Sequence, residues 1–96
     1  MTGNKQSFNE THLTVKGVVQ GVCFRRITKR YADQLGIKGY VYNLRNGDVK
    51  ICITSGNVEE LLRCLKQEPP PVHIHSIEKT DHPLNKSYPS FEIKDC

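Results

Sequence analysis

Residues 15–25 read Val15-Lys16-Gly17-Val18-Val19-Gln20-Gly21-Val22-Cys23-Phe24-Arg25. Just before and at the start of this segment, apolar and polar residues alternate from Leu13 to Lys16, which predicts a β-strand. Gly17 and Gly21 bracket a tight loop, and from Phe24 onward apolar residues recur every three to four positions, as on one face of a helix. The segment therefore predicts a strand, a loop and the start of a helix, an arrangement whose backbone N–H groups can bind an anion.

Strand and helix patterns continue along the rest of the chain. The first helix is expected to end at Gly36, because glycine supplies the left-handed stop. Strands over 39–42 and 49–53 flank Asn46-Gly47, the strongest hairpin signal in the sequence. Asn57 begins a second helix, which the prolines at 69–71 end. Strands over 72–75 and 91–93 complete the pattern, with a polar loop over 80–86 between them.

The predicted order is β-α-β-β-α-β with one short extra strand at the C-terminus. This order is typical of the ferredoxin-like α+β sandwich, an antiparallel sheet with two helices on one face. The chain has 96 residues, enough for one small core. Because residues 1–10 are polar, we expect a flexible N-terminal tail there and a single domain over residues 11–96.

The positive charge of the chain lies in its first half. The net charge is +4; residues 1–48 contribute +5 and residues 49–96 contribute −1. This asymmetry favours an anionic partner, anything from a phosphate to a nucleic acid. No apolar run approaches the roughly 18 residues of a membrane span, and no secretory signal is evident. We therefore expect a cytoplasmic protein with no membrane partner.

Cysteines and histidines raise the question of a metal or redox site. The cysteines are Cys23, Cys52, Cys64 and Cys96. In the cytosol they would stay reduced, and their spacing does not resemble a CxxC pair. His73 and His75 would share one face of a strand, but no neighbouring ligand completes a tetrahedral set. We expect no metal site and no cofactor. Cys23 is not expected to be a nucleophile, because Arg25 follows it too closely for a loop to wrap a phosphate.

Arg25 is placed where a helix gains little from a cation. The dipole at a helix N-terminus favours anions, so an arginine in the first turn suggests a purpose other than helix stability. A guanidinium can grip phosphate oxygens with two parallel hydrogen bonds. The Walker loop and the dinucleotide GxGxxG pattern are both absent from the sequence, so these familiar phosphate loops are excluded.

Residues 15–25 match every fixed position of V-x-G-x-V-Q-G-V-x-F-R, the first signature of the acylphosphatases, which this sequence resembles. A second signature, G-[aromatic]-V-x-N-x-x-x-G-x-V, begins at Gly39, and Gly56 follows it. The resemblance extends from about Leu13 to Ile93. It implies the ferredoxin-like fold, hydrolysis of the carboxyl–phosphate bond of acyl phosphates, and Arg25 and Asn43 as the catalytic pair.

The implied substrate is a small acyl phosphate, and inorganic phosphate is a product. The resemblance assigns phosphate binding to the loop residues Val19, Gln20, Gly21, Val22, Cys23 and Phe24. The leaving carboxylate has a conjugate acid of pKa about 4, so it departs without a general acid. Asn43 is neutral and a poor base, and we expect it to orient the attacking water. Gln20 either touches the phosphate or braces the loop, and Gly47 is expected to be a hairpin glycine.

The sequence departs from the family pattern on both sides of Asn43. Tyr42 stands where the family often has a basic residue or Gln, and Leu44 stands where it often has Thr or Ser. Leu44 removes a hydroxyl that could orient Asn43 or a water, which puts the turnover rate in question more than the reaction type. The same departure supports an alternative, a weakly active member that serves as a phosphate-binding or interaction domain.

A nucleic-acid-binding module is the other alternative, because ferredoxin-like sheets often bind RNA. The RNP1 pattern of such modules is missing from the sequence. Aromatic residues occur in the central strands only at Tyr40 and Tyr42. The sequence therefore favours a monomeric enzyme without a nucleic-acid partner.

Overall fold

A computed structural model describes residues 9–94 of the chain. Its helices and strands follow the order that the sequence predicts. They are β1 (Asn9–Val18), α1 (Phe24–Leu35), β2 (Lys38–Asn43), β3 (Val49–Ser55), α2 (Val58–Lys66), β4 (His73–Pro83) and β5 (Phe91–Ile93). Residues 1–8 of the expected tail lie outside the described residues, whereas Asn9 and Glu10 belong to β1.

The strands form one five-stranded sheet in the order β4-β1-β3-β2-β5. Neighbouring strands are antiparallel except at β5, which pairs in parallel with β2 through Gly39↔Phe91 and Val41↔Ile93. Strands β4, β1, β3 and β2 form the expected antiparallel sheet, and the short terminal strand β5 adds a parallel pairing, so the sheet as a whole is mixed. The pairings of β4 with β1, β1 with β3 and β3 with β2 are all antiparallel, so β2 runs opposite to β4. Since β5 also runs opposite to β4, β5 and β2 point in the same direction.

Strand β4 is longer than the sequence pattern indicates. It pairs with the whole of β1, from Asn9↔Pro83 to Val18↔His73. The polar loop expected over 80–86 therefore begins only after Pro83. Residues 80–83 carry no alternation of apolar and polar side chains because β4 is an edge strand, and its side chains here are exposed on both faces.

The two helices pack on one face of the sheet, which confirms the ferredoxin-like α+β sandwich. Helix α1 buries Phe24, Thr28 and Ala32, and α2 buries Leu61 and Leu65. Opposite them the sheet buries a set of alternate apolar residues: Leu13, Val15, Val41, Val49, Ile51, Ile53 and Phe91. Within residues 9–94 neither helix is long and apolar enough to cross a membrane.

The other face of the sheet carries polar and aromatic side chains. Residues 84–90, which we call the crossover segment, connect β4 at one edge to β5 at the other and touch this face. The backbone N–H of Asn85 donates to Glu10 Oε1 at 3.0 Å, and the ring of Tyr88 lies 5.2 Å from that of Tyr40. This face therefore has its own packing, separate from the helix-covered core.

Candidate active site

The end of β1 bends into the loop through Gly17. The pairing with β4 shifts its register between Lys16 and Gly17, and Gly17 has φ +138°. A Cβ atom at this position would collide with the backbone carbonyl of His73. Only glycine fits so close to β4, and its absent side chain allows the chain to leave the sheet where the loop must begin.

The loop ends in left-handed backbone on both sides of Val22. Gly21 has φ +76° and Cys23 has φ +62°, and Cys23 is the one non-glycine residue with positive φ among residues 9–94. A left-handed non-glycine residue costs roughly 1–2 kcal/mol. Such conformations turn successive N–H groups toward one point, as in an anion-binding nest. The strain at Cys23 is therefore stored where the sequence predicts phosphate binding.

The N-terminus of α1 is left without a side-chain cap. Cys23 occupies the N-cap position but its side chain makes no capping hydrogen bond, and the first turn contains no acidic residue. The first N–H groups of a helix have no partner within the helix, and they carry the positive end of its dipole. Together with the loop, this end of α1 presents N–H donors suited to an anion.

Gln20 ties the loop to the turn between β2 and β3. Its side-chain amide donates to the carbonyl oxygen of Leu44 at 2.7 Å and to that of Asp48 at 2.8 Å. The Leu44 N–H also donates to the Asp48 carbonyl at 2.8 Å. Of the two roles left open by the sequence, bracing the loop is the one that this side chain performs here.

A cleft of about 400 Å³ lies between the loop, α1, β2 and β5. The residues that line it are Val19, Gln20, Gly21, Cys23, Phe24, Arg25, Arg26, Asn43 and Ile93. The cleft thus brings together Arg25, Asn43 and five of the six predicted loop residues. Val22 instead packs its partly buried side chain against the core. A larger groove of about 850 Å³ at the opposite end of the sheet contains none of the predicted site residues.

Arg25 is held in the cleft by the end of the chain's last strand. Its Nη1 donates to the carbonyl oxygen of Lys94 at 3.1 Å, directly after β5. One turn further along α1, Lys29 donates to the carbonyl of Phe91 at 2.9 Å. Sequence reasoning missed this support because a backbone carbonyl has no residue signature. It also missed Ile93, a 41% exposed apolar residue on the cleft wall.

Asn43 reaches the cleft from the last position of β2, where it pairs with Val49. Its Oδ1 is buried and makes no hydrogen bond within the described part of the chain. An unsatisfied buried acceptor costs about 1–3 kcal/mol. An atom kept at that cost beside a loop whose N–H groups are suited to an anion is suited to accept a hydrogen bond from a bound water or ligand.

Most other histidines and basic residues near the loop and α1 lie outside the cleft. His73 and His75 are exposed on β4. Lys29 pairs with Asp33 at 3.0 Å, and Arg30 lies 3.8 Å from Glu68. Of the basic residues that follow Arg25 on α1, Arg26 is the one that lines the cleft.

Comparison with known proteins finds one family, through its sequence model, its members and a solved structure. The acylphosphatase family model matches residues 11–93. An acylphosphatase of Caldivirga maquilingensis is 36% identical over 83 residues, which cover 83% of this chain and 87% of the relative. One from Paraburkholderia xenovorans is 35% identical over 91% of this chain and 92% of its own length. The crystal structure of acylphosphatase from Bacillus subtilis superposes with a TM-score of 0.78 at 26% identity, covering 90% of this chain and 98% of that one.

The chain belongs to the acylphosphatase family. It is therefore an enzyme of the class that hydrolyses acyl phosphates.

Proposed function

We propose that this chain hydrolyses the carboxyl–phosphate bond of small acyl phosphates, with Arg25 gripping the phosphoryl group and Asn43 positioning the attacking water. One observation carries the proposal. A single cleft is lined by Arg25, by the glycine-bounded loop and by Asn43, whose buried Oδ1 has no hydrogen bond within residues 9–94. The cation and the N–H groups of the loop are suited to bind the phosphoryl group, and the acceptor is suited to orient the attacking water.

Arg25 and the loop would act on the charge of the transition state. Phosphoryl transfer passes through a loose transition state whose charge spreads over the equatorial oxygens. Donors already aimed at those oxygens need no reorganisation during the reaction, so they lower the barrier efficiently. The hydrogen bond from Arg25 to Lys94 supports this role, because it limits the positions that the guanidinium can adopt before substrate arrives.

Asn43 would act on the nucleophile. A water O–H donates to Oδ1, which orients an oxygen lone pair toward phosphorus. Asn43 does not take a proton, because an amide is a poor base; one proton of the water stays on the new P–OH group and the other passes to a phosphate oxygen or to solvent. The leaving carboxylate has a conjugate acid of pKa about 4 and departs unprotonated. This reaction asks for no metal ion, cofactor or covalent enzyme intermediate, in keeping with the sequence expectation.

The acyl part of the substrate would face the outer wall of the cleft. We assign this role to Ile93 and Arg26, which line the cleft and belong neither to the loop nor to the catalytic pair. One apolar and one basic side chain discriminate weakly among acyl groups. We therefore propose that the substrate is a small acyl phosphate and that several different acyl groups are accepted. The working form that we propose is a cytoplasmic monomer, without nucleic-acid or membrane partners.

Hydrolysis of benzoyl phosphate by the purified chain in the presence of a chelator tests the proposal. We expect rapid, chelator-resistant release of phosphate that inorganic phosphate inhibits competitively. Absence of hydrolysis, or hydrolysis that depends on added metal, would overturn it. Phosphate binding without hydrolysis would favour the phosphate-binding alternative that Leu44 raised.

A further inference from the structure

We propose that Glu10, His12 and Cys52 form a zinc-binding site on the sheet face opposite the helices. His12 and Cys52 are direct partners in the β1–β3 ladder, and Glu10 lies two residues before His12, on the same face of β1. One ligand atom from each residue lies within 4.8 Å of the other two. Cys52 follows Glu10 by 42 positions in the chain, and the pairing of β1 with β3 brings the two residues together.

The spacing of the ligand atoms is close to that of a tetrahedral site. Bonds of about 2.0, 2.1 and 2.3 Å from zinc to nitrogen, oxygen and sulfur place the oxygen about 3.6 Å from the sulfur and 3.3 Å from the nitrogen. In the structure Cys52 Sγ lies 3.6 Å from Glu10 Oε2, and His12 Nε2 lies 2.6 Å from the same oxygen. The His12–Glu10 pair must open by about 0.7 Å as the metal replaces their hydrogen bond.

The surroundings fix the ligands before a metal arrives. Glu10 is 7% exposed and Cys52 is fully buried. The Asn85 N–H donates to Glu10 Oε1, the oxygen that faces away from His12, and so orients the carboxylate. Such a second hydrogen bond to a ligand is typical of protein metal sites.

A fourth position is available on the His12 side. The ring of His82 lies 4.3 Å from the ring of His12, and His82 Nε2 is hydrogen-bonded to the Thr80 hydroxyl at 2.9 Å. His82 can complete the tetrahedron by a rotation of its exposed side chain, or a water can do so.

The donor set selects zinc among common divalent ions. A thiolate excludes magnesium and calcium, which take oxygen ligands, and the mixed sulfur, nitrogen and oxygen set suits zinc. On binding, the Cys52 thiol gives its proton to solvent and the Zn–S bond forms. The proton that His12 Nε2 donates to Glu10 leaves this nitrogen, and the neutral ring then carries its proton on Nδ1 and coordinates through Nε2. No oxidation state changes. The thiolate and the Glu10 carboxylate together balance the charge of the ion.

This site is distinct from the catalytic cleft. Cys52 pairs with Tyr40, and Asn43 lies three residues further along β2, roughly 10 Å away at 3.3 Å per residue. None of the three ligands lines the cleft. The metal would instead tie β1 to β3 and hold the crossover segment through Asn85, so the inference does not depend on the proposed mechanism.

Cobalt titration of a single-thiol protein tests the site. In a chain carrying Cys23→Ser, Cys64→Ser and Cys96→Ser, Cys52 is the only thiol. We expect one equivalent of Co²⁺ to produce a thiolate-to-cobalt charge-transfer band together with the visible spectrum of a tetrahedral ion, and Zn²⁺ to displace both. Zinc at about 100 times its dissociation constant should raise Tm by about 10 °C or more.

Two variants and a control make the result decisive. Cys52→Ser in the same background should abolish the charge-transfer band. His12→Gln should weaken binding by more than the roughly 10–100-fold that outer-sphere partners contribute, and it tests the site even where Cys52→Ser fails to fold. His75→Gln, an exposed histidine on β4, should leave binding unchanged. Absence of the band in the single-thiol protein, or equal loss in His12→Gln and His75→Gln, would overturn the proposal.

Discussion

Gln20 and Leu44 lie 24 positions apart in the chain, and the side-chain amide of Gln20 donates to the Leu44 carbonyl at 2.7 Å. The bond joins the loop between β1 and α1 to the turn that follows Asn43. The two halves of the proposed site therefore share a mechanical link. It also explains how Leu44 contributes despite lacking a hydroxyl: its backbone N–H and carbonyl are both bonded within this link.

Gln20→Ala should weaken both the fold and the reaction. It removes two hydrogen bonds to partly buried carbonyls, for which we expect a loss of about 1–3 kcal/mol in the free energy of unfolding. The value of kcat should fall as well, because the loop and Asn43 are no longer held together. Urea unfolding and kinetics on benzoyl phosphate measure the two effects. Gln34→Ala, at an exposed position of α1, is the matched control, and a similar loss there would contradict the bracing role.

Arg25→Lys should lower kcat/KM by on the order of 10²–10³-fold, the range seen when one preorganised transition-state donor is removed. A lysine keeps the charge but cannot form two parallel hydrogen bonds, and its ammonium does not reproduce the planar bond to Lys94. Steady-state kinetics on benzoyl phosphate give the ratio. Arg30→Lys, an exposed change on the same helix, should have little effect. Near-normal turnover by Arg25→Lys would rule out the two-pronged grip.

Asn43→Ala should lower the activity without lowering the stability of the fold. Loss of Oδ1 should reduce kcat by on the order of 10²-fold, with competitive inhibition by phosphate almost unchanged. The same variant removes a buried acceptor that has no hydrogen bond within residues 9–94. Its free energy of unfolding should therefore stay level or rise. Parallel kinetics, inhibition constants and urea unfolding test this. Weaker phosphate binding together with a destabilised fold would indicate a structural role for Asn43 instead.

Glycine substitutions should separate backbone strain from steric exclusion. Gly21→Ala places a Cβ where no atom lies within 4 Å, so only the left-handed backbone opposes it, at roughly 1–2 kcal/mol. Gly17→Ala places a Cβ against the His73 carbonyl and should destabilise the chain considerably more. Conversely, Cys23→Gly should stabilise it by roughly 1 kcal/mol through relief of strain. Urea unfolding of the three variants gives the order, and equal losses for both alanine variants would contradict it.

Local patterns predicted most of the fold but not its edges. The Asn46-Gly47 hairpin, the Asn57 cap and the helix faces follow from short-range chemistry, and the structure contains all three. The extension of β4 through Thr80 to Pro83 did not show in the pattern, because an exposed edge strand needs no apolar residues. The parallel direction of β5 depends on how the whole sheet is ordered, which no single segment encodes.

The candidate site, like the fold, could be predicted from the sequence only in part. Arg25, Asn43 and the loop were proposed from two motifs, and the structure brings them to one cleft. The Lys94 carbonyl that holds Arg25 could not be anticipated, because any residue offers the same group. Glu10, His12 and Cys52 meet only through strand register. Residues close together in the chain indicate only His73 and His75 as a metal-like pattern, so this cluster does not show in the sequence.

The two edge strands of the sheet, β4 and β5, oppose pairing with a strand of another chain in different ways. Strand β4 offers a long row of backbone donors and acceptors, but Glu78, Lys79 and Asp81 stand exposed along it. Charged side chains on an edge oppose the docking of another strand. Strand β5 spans only three residues, too few to anchor an incoming chain. Neither edge therefore offers a second copy of the chain a ready place to add a strand, which favours separate molecules over edge-to-edge association.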